Sequence, residues 1–133
     1  MKIMISHGMN GKSEEDILRE INRITEKLND MDIEVAESYF EYNFDNKEIK
    51  NIPVMYLAKS IEVMADVNAV LFCNNWEKYR GCRIEHHIAK EYGIKILYED
   101  FLDNKEQYYV NPTYVSNLNN KTQRYVNPIY DWI

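Results

Sequence analysis

Residues 69–98 constrain the fold of this chain more than any other stretch. A short apolar run, Ala69-Val-Leu-Phe-Cys73, leads into Asn74-Asn-Trp-Glu-Lys-Tyr-Arg-Gly-Cys-Arg-Ile-Glu-His-His-Ile-Ala-Lys-Glu-Tyr-Gly93, and a second run, Ile94-Lys-Ile-Leu-Tyr98, leaves it. The pattern reads as strand, loop, helix (about 82 to 92) and strand, with Gly93 suited to the left-handed position that ends a helix. Two strands joined by a helix pair in parallel, and ligands of such sheets sit where a strand's carboxyl end meets the next helix.

The rest of the chain supplies the partners of that unit. Lys2 to Ser6 reads as a strand ending in the turn His7-Gly-Met-Asn-Gly11. Ser13 is an N-cap candidate, with Glu14, Glu15 and Asp16 favourable in a first turn. Ile17, Leu18, Ile21, Ile24, Leu28 and Met31 keep helical spacing, predicting a helix over about 14–30. Residues 33–38 alternate as a second strand, and 39–52 have the length of a functional loop. Pro53 suits the first turn of a helix that runs to about Ala65 on a stripe of Tyr56, Leu57, Ser60, Ile61 and Met64. The expected fold is therefore α/β: a doubly wound, flavodoxin- or Rossmann-like parallel sheet of four to five strands, ordered 2-1-3-4. The turn at 6–11 and the loop at 74–85 should then face one another across one cleft.

Residues 99–133 differ in character. They are rich in Asn and Tyr, and they repeat Tyr109-Val-Asn-Pro-Thr-Tyr114 as Tyr125-Val-Asn-Pro-Ile-Tyr130. Pro112 and Pro128 disfavour a long helix. The expectation is a domain over 1–98 and an extended arm over 99–133, docked at the interface of a homo-oligomer because exposed aromatics on such an arm are sticky.

With 133 residues there is length for one core. A net charge of -6 excludes a general nucleic-acid binder, which needs clustered Lys and Arg. Apolar runs of about five residues fall far short of a membrane span. The N-terminus enters a strand directly, without a signal peptide, so a cytoplasmic protein with reduced thiols is expected. Cys73 and Cys82 have no partners at zinc-like spacing, and neither a metal nor a cofactor is expected.

Several residues could carry chemistry. Glu85 would fall in a helix's first turn if Gly81 or Cys82 is the N-cap. There it either complements the helix dipole or acts as a carboxylate aimed into the cleft. Arg80 and Arg83 flank Gly81 and would suit a phosphate or carboxylate, or merely solvent. Adjacent His86 and His87 point about 100° apart on a helix, which is not a zinc-protease pair. The turn Ser6-His7-Gly8-Met9-Asn10-Gly11 lacks dinucleotide and P-loop spacing, yet its backbone N–H groups could hold a phosphate. Asp66 precedes the third strand and is a turn residue or a cleft acid. Trp76 is core or a stacking platform.

The segments Lys2-Ile-Met-Ile-Ser-His-Gly-Met-Asn-Gly-Lys-Ser13, Ala65-Asp-Val-Asn-Ala-Val-Leu-Phe72 and Trp76 to Ile94 resemble a phage and bacterial family of uncharacterised proteins. That family is similar to the nucleoside 2-deoxyribosyltransferases and the deoxynucleoside-monophosphate N-glycosidases. The resemblance implies chemistry at an anomeric carbon, with Glu85 as the nucleophile, Asp66 serving the departing base, and a nucleotide or nucleotide-derived ligand held by Ser6 to Gly11, Trp76, Arg80, Gly81 and Arg83. Met4 stands where the transferases carry a tyrosine. Tyr79 and Arg80 stand where they carry an aspartate, and Cys82 replaces a Ser or Thr. Arg80, Arg83 and His7 suit a phosphorylated ligand. Two rivals to an enzyme are kept: a non-catalytic sponge for a nucleotide or an ADP-ribose-derived immune signal, as in phage anti-defence, and a structural partner protein whose arm drives assembly.

Overall fold

The computed structural model describes residues 1–37 and 48–103. In chain order they form β1 (Lys2–Ser6), α1 (Glu14–Asn29), β2 (Glu34–Val35), α2 (Ile52–Met64), β3 (Ala69–Phe72), a 3-10 turn (Trp76–Lys78), α3 (Arg80–Glu91), β4 (Lys95–Tyr98) and a second 3-10 turn (Glu99–Asp103). The four strands make one all-parallel sheet in the order 2-1-3-4, as the spacing predicts. β1 and β3 are central, with Ile3 opposite Ala69 and Ser6 opposite Phe72. β2 is shorter than expected. Its ladder covers only Lys2 and Ile3 of β1, and the chain leaves the edge after Ala36, whose N–H donates to the Ile3 carbonyl.

Alternation along the strands divides the core in two. Ile3, Ile5, Leu71 and Leu97 meet Ile17, Ile21, Ile24 and Leu28 of α1 on one face. Met4, Val70 and Phe72 meet Met64 of α2 and Ala89 of α3 on the other. Local chemistry fixes the helix ends. The Ser13 hydroxyl accepts from the Asp16 N–H at 3.1 Å, and the Asn51 side-chain Oδ1 accepts from the Val54 N–H at 3.1 Å. Gly93, at φ 68°, ends α3 so that the Ile94 N–H reaches back to the Ala89 carbonyl.

The stretch read as an arm begins differently. Phe101 and Leu102 of the second 3-10 turn are buried in the α1-side core, so the packed body extends to Asp103. Both Tyr-Val-Asn-Pro copies, and with them the expected oligomer contact, lie outside the described residues. Among the described residues no helix is long and apolar enough to cross a membrane.

Candidate active site at the strand ends

The cleft follows from the topology. After β1 the chain turns to one face of the sheet as α1, and after β3 it turns to the other as α3. Neighbouring central strands thus part at their carboxyl ends, which opens a crevice. Here it has a volume of about 900 Å³ and is lined by the turn after β1 and the starts of all three helices.

Glu85 sits in this cleft and is only 7% exposed. It does not occupy the first turn of α3. The 3-10 turn at Trp76–Lys78 runs almost directly into the helix, so Tyr79 is the N-cap and Glu85 falls in the second turn. A carboxylate there is past the reach of the free N–H groups at the helix start, so capping does not account for it. The Ser6 hydroxyl, itself buried at the end of β1, donates to Glu85 Oε1 at 3.2 Å. Burial pushes the Glu85 carboxyl up to about 7, and the Ser6 hydrogen bond opposes that rise. Cys82 lies one turn earlier. Burial raises its thiol to about 11, partly offset by Ser6, so it is an inert thiol at neutral pH.

Around this carboxyl the cleft's cations outnumber its one further carboxylate, Glu14, although the chain as a whole is acidic. Lys12, Lys78, Arg80 and Arg83 line the cleft, and none makes an ion pair among the described residues. The Arg83 guanidinium is anchored by donating to the Glu77 carbonyl at 2.8 Å. The start of α3 has no side-chain cap, so its free N–H groups add a partial positive charge at the same place. His7 is buried, with Nε2 3.5 Å from Lys12 Nζ. Burial first, and Lys12 second, lower its pKa, so the imidazole is held neutral. The Tyr79 ring packs flat against Gly8, with the Lys12 ammonium 5.3 Å from the ring centre. That contact locks the β1 turn to the start of α3.

Most residues singled out from sequence meet here. His7, Gly8, Met9, Asn10, Arg80, Gly81, Arg83 and Glu85 line the cleft, and Ser6 bonds to Glu85 from beneath. Gly11 shapes the turn with φ 79° and does not line it. Two residues lie elsewhere. Trp76 stacks on His86 with ring centres 4.0 Å apart and packs near Phe72 and Tyr98, so its ring covers the α3-side core instead of the cleft. Asp66 is exposed at the opposite, amino end of the sheet, where it pairs with Lys2 at 3.1 Å. Lys2 and Ser6 are separated by the length of β1, roughly 13 Å at strand rise, so Asp66 does not reach a ligand beside Glu85. Asp66→Asn is accordingly expected to cost at most about 0.5 kcal/mol, as an exposed ion pair does, and urea denaturation checks this.

The sequence reading missed Lys12, Lys78, Tyr56, Leu57 and Ser60, all of which line the cleft. Lys12 directly follows the glycine turn, and that adjacency was the available signal. Tyr56, Leu57 and Ser60 keep helical spacing and so read as a core stripe. In fact Met64 alone among the residues of α2 is fully buried.

Fold and site together define a parallel α/β protein with a buried carboxyl in a cationic strand-end cleft. The chain belongs to a family known as a domain of unknown function (DUF4406), whose model matches residues 1–98. No curated protein and no solved structure matches it significantly.

Proposed function

We propose that this protein cleaves, or transfers at, the N-glycosidic bond of a nucleotide or nucleotide-derived ligand, with Glu85 as the nucleophile. The observation that carries the reading is the buried Glu85 carboxyl, aligned by Ser6, in a cleft whose cations make no ion pair among the described residues. Ionised Glu85 attacks C1′ of the sugar. The C1′–N bond breaks, and its electron pair leaves with the base, which takes up a proton from solvent or from the site. The resulting glycosyl ester is opened by water, or by a second base if the reaction is transfer, and the carboxylate is regenerated. The cationic rim holds the anionic part of the ligand and keeps the sugar in place.

The chemistry fixes a pH dependence. Attack needs the ionised carboxylate, so the rate should rise with pH through about 7, the value to which burial lifts Glu85. Ser6→Ala removes the hydrogen bond that holds this value down, so the midpoint should move to higher pH. A pH–rate profile of wild type and Ser6→Ala checks this. Coincident midpoints would contradict the assignment.

One observation favours a second reading, tight binding of a nucleotide or an ADP-ribose-derived signal without turnover. Asp66, implied as the group serving the departing base, stands at the far end of the sheet. Incubation with a nucleotide panel followed by heat denaturation separates the two. An enzyme yields free base, whereas a sponge returns its ligand intact.

A further inference from the structure

Water that opens a glycosyl ester loses a proton as it attacks. The group that takes this proton has to be unprotonated at a pH where Glu85 is ionised. Imidazole is the side chain whose ordinary value lies nearest neutrality, and among the described residues the cleft lining holds one, His7. His7 directly follows Ser6, so its Cα stands about 3.8 Å from that of the residue whose hydroxyl holds Glu85. It is 8% exposed, and its Nε2 lies 3.5 Å from Lys12 Nζ. An ammonium only donates, so Nε2 is the acceptor and the ring proton is on Nδ1. Nδ1 is buried and makes no hydrogen bond of good geometry, with the Gly8 backbone beside it. A buried nitrogen left in that state costs stability, and an apolar side chain in its place would avoid the cost, so packing alone does not account for His7. Burial first, then the charges of Lys12 and Arg23, favour the neutral ring, and Glu20 opposes them. The base form is therefore present wherever Glu85 is ionised.

We infer that His7 is the general base of the second step, its Nε2 taking the proton of the water that opens the glycosyl ester. This inference rests on the reading of the cleft as a glycosidic site. When a ligand binds, Lys12 turns from Nε2 to the ligand's anionic end, and the Nε2 lone pair is free. The water oxygen bonds to C1′, and the C1′–O bond to Glu85 breaks with its electron pair returning to the carboxylate. The water's proton passes to Nε2, and the imidazolium then releases it to solvent.

The test separates formation of the ester from its hydrolysis. His7→Gln is mixed rapidly with the common nucleoside and deoxynucleoside 5′-monophosphates. It should release a burst of about one base per enzyme and then turn over roughly 10²- to 10⁴-fold more slowly than wild type. Intact-mass spectrometry should find the pentose phosphate on the protein, and the further change Glu85→Gln should remove it. Azide, a nucleophile that has no proton to lose, should restore turnover of His7→Gln and yield the glycosyl azide. Circular dichroism checks folding, and His7→Asn replaces His7→Gln if the longer amide unfolds the turn. Unchanged steady release, or a loss with neither burst nor trapped ester, overturns the role of His7 and leaves base release by the wild type standing. A wild type that returns every nucleotide intact overturns both readings.

Discussion

Replacing Glu85 by Gln is expected to abolish base release and, above neutral pH, to make the protein more stable. The first effect follows from the proposed chemistry: an amide does not attack C1′, and loss of a nucleophile costs at least about 10³-fold in kcat. The second follows from burial. The Glu85 carboxyl is raised from 4.5 to about 7, with desolvation the larger cause and the Ser6 hydrogen bond opposing it. Between those two pH values the folded protein keeps a proton that the unfolded chain has released. Glu85 therefore destabilises nothing below about pH 4.5. Its cost grows as pH rises toward the folded value, and is fully present above about pH 7. A shift of this size corresponds to roughly 3 kcal/mol. Gln fills the same space without a charge, and its amide oxygen still accepts from Ser6. Glu85→Gln should therefore melt about 10 °C higher than wild type at pH 8.5, and the two curves should converge toward pH 5. Scanning calorimetry across that range checks this, and the difference between variants cancels every other titrating group. Parallel curves with a constant offset would show that Glu85 is not a buried acid raised by desolvation. A carboxyl retained at such a cost, where Gln would pack as well, supports the proposed role of Glu85.

The sheet was legible because its signals are local and repeated. Apolar runs of four or five residues, separated by helical periods, force parallel crossovers, and their handedness leaves few strand orders. Ser13 and Gly93 marked helix ends because each has a specific side-chain or backbone reason to be there. The start of α3 had no such mark. Tyr79 caps it with no side-chain hydrogen bond, so the sequence suggested a start two residues later and put Glu85 in the wrong turn. Asp66 and Trp76 show a second limit. Each has a residue type that suits the cleft, but Asp66 precedes β3 at the sheet's amino end, and Trp76 stacks on His86 of the following helix, α3. Only three-dimensional placement decides between such partners. α2 shows a third limit: its apolar residues are spread around the helix, so periodicity does not reveal which face meets the core and which meets the cleft.

Gly8→Ala is expected to damage the cleft through Tyr79 alone, and a double-mutant cycle isolates that route. A methyl group at Gly8 would land on the Tyr79 ring, at atoms close to its root as well as further out. The ring therefore has to rotate away from its seat instead of flexing at its tip. Rotation abandons both the Gly8 backbone and the Lys12 contact, and it uncouples the β1 turn from the start of α3. Gly8 has no positive φ, so no backbone strain confuses the result, unlike Gly11, whose φ of 79° would penalise any side chain although the space beside it is open. Overpacking of this kind costs about 1–3 kcal/mol. Because this contact holds Lys12 beside the start of α3, the proposed function implies that nucleotide affinity should fall at least about tenfold. In a Tyr79→Ala background the steric conflict is gone, and Gly8→Ala should cost less than about 0.5 kcal/mol more. The coupling between the two sites should then be on the order of 1–3 kcal/mol, read from urea denaturation of the four proteins. Equal costs of Gly8→Ala in both backgrounds would place the conflict elsewhere in the turn. Tyr79 would, on this account, serve the cleft as a fastener: its ring holds Lys12 beside the start of α3.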